Sequence, residues 1–203
     1  MNISILGTGH VASLLAAAWT TAGHTVTLGS RDPQAKAGQF DYPVASFADA
    51  VTGADVVVNA TPGAESLAVF TAISADALAG TVVLDVANAA TPDLELVYPG
   101  SSLAQKLQDA LPEAKVVKSL NTLAMNVAVA PDAIGESTLF VSGDHDDAKD
   151  TVRSLLADLG WKADDVIDLG GIATATGPES YFPLFFAIMQ ANQGPMFNIR
   201  VVR

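Results

Sequence analysis

A glycine-rich turn stands at the start of the chain, where Gly7, Gly9 and Ala12 form a G-x-G-x-x-A pattern directly after a short apolar run. Gly7 permits a tight turn, Gly9 keeps a Cβ away from an approaching pyrophosphate, and Ala12 lets the next helix pack close to the strand. The helix N-terminus offers free N–H groups to phosphates. A glycine turn without a ligand is the less favoured alternative. We therefore expect a pyrophosphate beside Gly7 and Gly9, with His10 facing it.

A serine and an arginine follow the second apolar run. Folds that prefer NAD usually place Asp or Glu there, about 20 residues past the glycine turn, to hold the ribose 2′-hydroxyl. Here Ser30 and Arg31 take that place, and Asp32 comes after them. A hydroxyl beside a guanidinium suits a 2′-phosphate. Arg31 and Lys36 are the only basic residues before Lys106, which favours NADP binding over a merely solvated arginine.

Polar residues also stand at the carboxyl ends of later apolar runs, where ligands bind in doubly wound sheets. Thr61 and Pro62 follow the third core run, Asn88 follows the fourth and Asn121 the fifth. We expect them along the nicotinamide ribose and carboxamide, with Thr61 and Asn88 as the best candidates. Ordinary turn residues are the alternative, because Asn, Pro and Thr favour loops.

No catalytic acid, base or metal site stands out. His10, His24 and His145 show no metal-ligand spacing, and the acidic run 144–147 lacks EF-hand spacing. Lys118 stands at a strand end, where a general acid is conceivable but a solvated lysine is expected. A site without an acid or base favours direct hydride transfer between two rings, which the protein positions and shields from water.

These residues need a scaffold of alternating strands and helices. The apolar runs 55–60 and 81–86 lack polar alternation, as expected of parallel strands covered on both faces. The predicted strands are 2–6, 24–29, 55–60, 81–86, 114–118, 137–142, 164–168 and 197–202. The predicted helices are 10–22, 46–52, 101–110, 146–159 and 174–190. The pattern predicts an α/β fold with a doubly wound, mostly parallel sheet of the Rossmann NAD(P)-binding type, forming one domain over 1–203.

Composition limits the classes of function. The net charge of −12 argues against nucleic acid or an anionic membrane as a partner, and the absence of cysteine excludes disulfides and thiolate metal sites. The first residues are predicted to form a strand, which leaves no room for a signal peptide, and the apolar stretch 181–191 is too short to span a bilayer. We therefore expect a cytoplasmic protein.

The order of these motifs resembles the NADP-dependent oxidoreductases typified by the enzyme that exchanges hydride between NADP and coenzyme F420. It is also similar to the reductase domain of the STEAP metalloreductases, which pass electrons from NADPH to flavin. The matching segments are LGTGHVA at 6–12, LGSR at 28–31, NATPG at 59–63, DVAN at 85–88, VVKSLNT at 116–122, DLGGIATA at 168–175 and FNIRVVR at 197–203. The family type tends to carry Asn where His10 stands.

The resemblance implies where the ligands lie. It places the NADP pyrophosphate at residues 8–11, the 2′-phosphate at Ser30 and Arg31, and the ribose and nicotinamide along Thr61 and Asn88. An acceptor ring, coenzyme F420 or a flavin, would stack over the nicotinamide in a cleft closed by the C-terminal segment. The residues expected near that ring are Asn121, Ile172, Thr174 and the helix from Glu179.

The C-terminal segment 169–203 is predicted to be a compact extension that closes the site. Phe182, Phe185, Phe186 and Met189 share one helical face. We favour a core or subunit-interface role for this face over ring stacking, and it predicts a homodimer.

The sequence thus predicts an NADP(H)-dependent oxidoreductase that transfers hydride to or from a planar, small-molecule acceptor. One alternative is an NADPH-dependent imine or carbonyl reductase, which needs a proton donor. The other is a non-catalytic redox sensor that binds NADPH.

Overall fold

The computed structural model describes residues 1–202, so Arg203, the last residue of the predicted C-terminal extension, lies outside the described residues. The strands are β1 (Asn2–Leu6), β2 (Thr25–Ser30), β3 (Val44–Ser46), β4 (Val56–Asn59), β5 (Val82–Asp85), β6 (Lys115–Lys118), β7 (Leu139–Gly143) and β8 (Val166–Asp168). The α-helices are α1 (His10–Thr21), α2 (Pro33–Lys36), α3 (Phe47–Ala50), α4 (Gly63–Ala72), α5 (Ala75–Leu78), α6 (Leu103–Ala110), α7 (Met125–Ala128), α8 (Asp146–Asp158), α9 (Thr176–Ser180) and α10 (Phe182–Ala191).

The strands form one sheet in the order β3-β2-β1-β4-β5-β6-β7-β8. Strands β1 to β6 are parallel, β7 runs antiparallel to β6, and β8 is parallel to β7. The chain moves outward from β1 to β3 and then returns to place β4 on the other side of β1. This reversal opens a crevice above the carboxyl ends of β1 and β4, where ligands of such sheets bind. The predicted doubly wound, mostly parallel sheet is confirmed.

Both faces of the sheet are covered, which explains the continuous apolar runs. Ile3 and Ile5 of β1 pack on one face with Leu15 and Trp19 of α1. Leu6, on the other face, belongs to a second core that also contains residues of α4 and α6. A strand buried on both faces gains from apolar residues at every position.

Several elements differ from the prediction. The sequence analysis did not predict the short β3 and the helix α4. The predicted helix 174–190 is a 3₁₀ turn, Ile172–Ala175, followed by α9 and α10. Residues 197–202 form no strand: Ile199 accepts a backbone hydrogen bond from Thr138, but the neighbouring contacts use side chains instead of a ladder. Among the helices within residues 1–202, none has the length and apolar character needed to cross a membrane.

Candidate functional site

The glycine turn joins β1 to α1 directly above the β1–β4 crevice. Gly7 has a φ of 133°, and a Cβ on it would lie 2.4 Å from the carbonyl oxygen of Ala60. Only glycine fits this position without displacing the end of β4. Gly9 has an extended backbone, and a Cβ on it would meet no atom within 4 Å. The space in front of Gly9 is therefore open to a ligand.

Helix α1 begins in that open space. Gly9 is its N-cap residue, and no side chain caps the helix. Backbone N–H groups in the first turn of a helix have no partner within the helix, and they carry a partial positive charge. This end of α1 is therefore suited to an anion such as a pyrophosphate.

The carboxyl end of β2 carries the basic residues. The buried hydroxyl of Ser30 accepts a hydrogen bond from the Asp32 backbone N–H, and Asp32 in turn caps α2 through the Ala35 N–H. The Arg31 side chain is 75% exposed, and its Nη1 lies 3.3 Å from Oε2 of Glu65. Lys36 ends α2. Because Asp32 is engaged by its own helix, the nearest charged partner of Arg31 is Glu65.

These elements surround a cavity of about 550 Å³, named here the glycine cavity. The predicted cofactor-binding residues that line it are Gly7, Thr8, Gly9, His10, Val11, Ser30, Arg31, Lys36, Thr61 and Pro62. The structure also places Phe47, Glu65 and Val69 in its wall. Contact of these residues with a cofactor stays a prediction.

Asn88 and Asn121 line a second cavity of about 380 Å³, named here the aromatic cavity. The two residues are joined by two hydrogen bonds. Asn88 Nδ2 donates to the backbone carbonyl of Asn121 at 2.7 Å, and Asn121 Nδ2 donates to Asn88 Oδ1 at 2.9 Å. The preceding Leu120 has a φ of 61° although it is not glycine. Such strained backbone is often found at functional sites. The aromatic cavity shares Val11 and Thr61 with the glycine cavity, so the two adjoin.

The Thr61 hydroxyl is already occupied. It lies 2.7 Å from Asn59 Oδ1 and 2.7 Å from the Ser66 hydroxyl, in a buried network that continues from Asn59 Nδ2 to Asp85. Thr61 therefore lies at the boundary between the cavities, while its hydroxyl connects the end of β4 to the first turn of α4.

The environment of Lys118 differs from the one predicted from the sequence. We expected a solvated lysine, yet its side chain is fully buried. Its Nζ lies 2.8 Å from Asp85 Oδ2 and 2.8 Å from Glu179 Oε1, and it also donates to the carbonyl of Ala87, next to Asn88. Burial raises the pKa of Glu179, an effect that the Lys118 charge opposes and the Asp85 charge reinforces. Lys118 therefore supports the floor of the site and lines neither cavity.

Helix α10 forms one wall of the aromatic cavity. Phe182, Phe185, Phe186 and Met189 line it, and no residue of α10 is fully buried. The face is half-buried and borders a cavity, so it does not lie in the core of this chain, and the predicted subunit-interface role stays a prediction. These four side chains are therefore placed where they could stack on a ring, which was the less favoured alternative of the sequence analysis.

Two residues expected near an acceptor ring lie elsewhere. Ile172 is buried in the second core, and the Thr174 hydroxyl lies 2.8 Å from the Ser142 hydroxyl and 2.7 Å from the Gly171 carbonyl oxygen. Neither lines the aromatic cavity. The 3₁₀ turn that contains both residues packs against β7, α6 and β6.

His10 has a partner outside the glycine turn. Its Nε2 lies 2.9 Å from Oδ1 of Asn126 in α7, at the edge of the glycine cavity. This contact ties the first turn of α1 to the segment after β6.

Sequence reasoning missed Glu65, Asn59 and the Lys118 partners. Glu65 lies in the first turn of α4, and the signal for that helix was the alanine-rich run after Pro62. The charged partners of Lys118 come from β5 and α9, so only the folded chain brings them together. Among the described residues, no cluster of His, Asp and Glu is suited to holding a metal ion.

The chain is similar to known proteins in sequence and in fold. A sequence model of the family described as "NADP oxidoreductase coenzyme F420-dependent" matches residues 2–89. The chain is 38% identical to a solved protein from Arthrobacter sp. FB24 whose proposed identity is an F420-dependent NADP reductase. The TM-score is 0.93, and the match covers 100% of both chains.

Two further likenesses are more distant. Metalloreductase STEAP3 of Rattus norvegicus is 28% identical over 180 residues, which are 88% of this chain and only 36% of STEAP3. A reductive aminase from Aspergillus terreus, solved with NADPH4, cyclohexanone and allyl amine, has a TM-score of 0.69 at 18% identity. That match covers 95% of this chain and 62% of the aminase, and it concerns the fold alone.

Proposed function

The chain belongs to the coenzyme F420-dependent family of NADP oxidoreductases, and on that premise we propose that it transfers a hydride between NADP(H) in the glycine cavity and a planar acceptor, coenzyme F420 or a flavin, in the aromatic cavity. One observation carries the proposal: the two cavities meet at Val11 and Thr61, so ligands in them would adjoin. NADPH supplies the hydride, with its two electrons, from the nicotinamide C4.

Two features of the glycine cavity and one of the adjoining aromatic cavity support NADP(H) as the ligand of the glycine cavity. The open space at Gly9 and the uncapped end of α1 suit the pyrophosphate. Arg31 and Lys36 suit the 2′-phosphate, in a chain whose net charge of −12 would otherwise repel it. The Asn88–Asn121 pair lies beyond the shared wall, where amide groups can hold a carboxamide.

The lining of the aromatic cavity supports a planar acceptor. It combines three phenylalanines and Met189 with the Asn88–Asn121 pair, and none of its described residues is titratable. Imine or carbonyl reduction calls for an acid next to the reacting atom, whereas a conjugated ring accepts the hydride at one atom and takes its proton from water at another. The likeness to the reductive aminase does not reach beyond the fold, so the planar acceptor is favoured.

We also propose that the protein is a homodimer that associates through its C-terminal segment. Met196 and Val202 are exposed there, at 52% and 83%. Exposed apolar side chains in one segment favour association of that segment with a partner surface. Sedimentation velocity tests this proposal, and a strict monomer would contradict it.

The cofactor is tested by titrating NADPH and NADH against the wild type and Arg31→Ala, with nicotinamide fluorescence as the readout. We expect the variant to lose about 1.5–3 kcal/mol of NADPH binding, roughly 10- to 150-fold, because a charge-assisted contact to phosphate is removed. NADH binding should stay the same. Arg200→Ala is the matched control, because Arg200 is also exposed and paired with a glutamate but lines neither cavity.

The acceptor is tested by NADPH oxidation with coenzyme F420, FMN and a cyclic imine in parallel. Turnover with F420 or FMN supports the proposal. Turnover with the imine alone would show the alternative reductase, and tight NADPH binding without any turnover would indicate a redox sensor.

A further inference from the structure

Glu65 is the one acidic side chain that contacts Arg31 among the described residues. The two side chains come from opposite sides of β1, since Arg31 follows β2 and Glu65 lies in the first turn of α4 after β4. Both line the glycine cavity, with Arg31 Nη1 3.3 Å from Glu65 Oε2. The pair thus spans the part of the cavity where the basic residues stand.

This contact is weak enough to exchange. Its distance is longer than that of a strong charge-assisted hydrogen bond, and the side chains are 75% and 53% exposed. Exposed ion pairs of this kind add little to stability. An incoming phosphate dianion can therefore displace the carboxylate from Arg31.

We propose that Glu65 is a selectivity residue that competes with the 2′-phosphate of NADP(H) for Arg31, and so weakens NADP(H) binding without affecting NAD(H). This inference rests on the proposed function, in which Arg31 binds that phosphate. Arg31 must leave Glu65 to bind NADPH, and the carboxylate then stays close to a dianion of the same sign. NADH has no 2′-phosphate, so it leaves the pair intact.

The competition favours release of the nucleotide. When NADP leaves, Glu65 is already in place to pair with Arg31 again, which lowers the free energy of the empty site. The other carboxylate in the cavity, Asp32, caps α2 through the Ala35 N–H and forms no ion pair with Arg31, whose described partner is Glu65. The effect is therefore assigned to Glu65 alone.

The test is a titration of NADPH and NADH against the wild type, Glu65→Gln, Arg31→Ala and the double variant. We expect Glu65→Gln to bind NADPH roughly three- to tenfold more tightly, from one lost exposed pair and one lost repulsion, and to bind NADH unchanged. The double variant should gain less over Arg31→Ala than Glu65→Gln gains over the wild type, because without Arg31 only the repulsion between Glu65 and the phosphate is left to remove. Glu136→Gln is the control, since it removes the same charge from an exposed glutamate–arginine pair outside both cavities.

The two proposals fail in different ways. If Arg31→Ala weakens NADPH binding but Glu65→Gln does not tighten it beyond Glu136→Gln, the selectivity role of Glu65 is wrong and the cofactor site stands. If Arg31→Ala leaves NADPH binding unchanged, the phosphate site at Arg31 is wrong, and the role of Glu65 falls with it.

Discussion

Lys118 and Glu179 meet inside the protein, with Nζ of the lysine 2.8 Å from Oε1 of the glutamate and both side chains almost wholly excluded from water. Lys118 ends β6, and Glu179 lies in α9, just before the helix that walls the aromatic cavity. The Glu179 carboxylate also accepts the backbone N–H groups of Leu103 and Ala104, at the start of α6. This contact therefore fixes α9 to the carboxyl end of β6, next to the candidate site.

Lys118→Met is expected to destabilise the protein by about 3–5 kcal/mol, because it leaves the buried carboxylates of Asp85 and Glu179 without their cation. Urea unfolding followed by circular dichroism measures the change. Lys115→Met is the matched control at the other end of β6, where the pair with Asp147 is exposed and contributes about 0.2–1 kcal/mol. Equal losses in the two variants would contradict the account of Lys118.

Substitutions at Gly9 and Gly7, the two glycines of the turn, should affect NADPH binding and folding stability separately. Gly9→Ala is expected to leave stability nearly unchanged, since its backbone is extended and its Cβ meets nothing, yet to weaken NADPH roughly tenfold or more by occupying the space of the pyrophosphate. Gly7→Ala is expected to destabilise the fold by about 1–3 kcal/mol, because its φ is positive and its Cβ meets Ala60. Thermal melting and NADPH titration on both variants check this. Intact NADPH affinity in a folded Gly9→Ala protein would argue against the pyrophosphate position.

Most of the glycine cavity could be predicted from the sequence because its residues follow strands in order along the chain. Apolar runs mark the parallel strands, and in a doubly wound sheet their carboxyl ends meet at one edge. Ser30 and Thr61 could thus be brought together without coordinates.

The remaining features of the site depend on contacts between residues that are far apart in the sequence, which no local sequence pattern indicates. The sequence around Lys118 indicates a solvated lysine at a strand end, because Asp85 and Glu179 are far from it along the chain. The sequence around Glu65 indicates a surface residue, and only the position of α4 in the fold shows that Glu65 contacts Arg31. The three residues of β3 are too few to show a period. The aromatic face of α10 has the spacing of a core helix, and only the tertiary packing leaves a cavity in front of it.

Asp168 should make stability depend on pH. Burial of Asp168 on its own would raise its pKa, but hydrogen bonds from the Gly170 N–H, Lys149 and Arg153 outweigh it and hold the pKa of Asp168 below its ordinary value. A lowered pKa means that the folded state favours the carboxylate. The stabilisation is therefore fully present above the unfolded pKa of about 3.9, and it is lost as the pH falls through the lower folded value.

Asp168→Asn tests this dependence by urea unfolding between neutral pH and about pH 3, below the unfolded pKa of aspartate. The wild type should be more stable than the variant by a constant amount at neutral pH, and the gap should narrow as the solution becomes acidic. A gap that stays constant down to the lowest pH would contradict the lowered pKa.

The last prediction concerns the acceptor. Phe186 lines the aromatic cavity and meets Phe182 edge to face at 4.8 Å between ring centroids, while Leu184, two residues earlier on α10, is 54% exposed and lines neither cavity. A planar acceptor stacked against this wall would gain about 0.5–1.5 kcal/mol from an aromatic neighbour. We therefore expect Phe186→Ala to raise the KM for the acceptor roughly two- to tenfold and to leave the Kd of NADPH unchanged. Leu184→Ala should alter neither constant. A Phe186→Ala variant that weakens NADPH and acceptor equally would show that α10 supports the whole site, with no particular role in binding the acceptor.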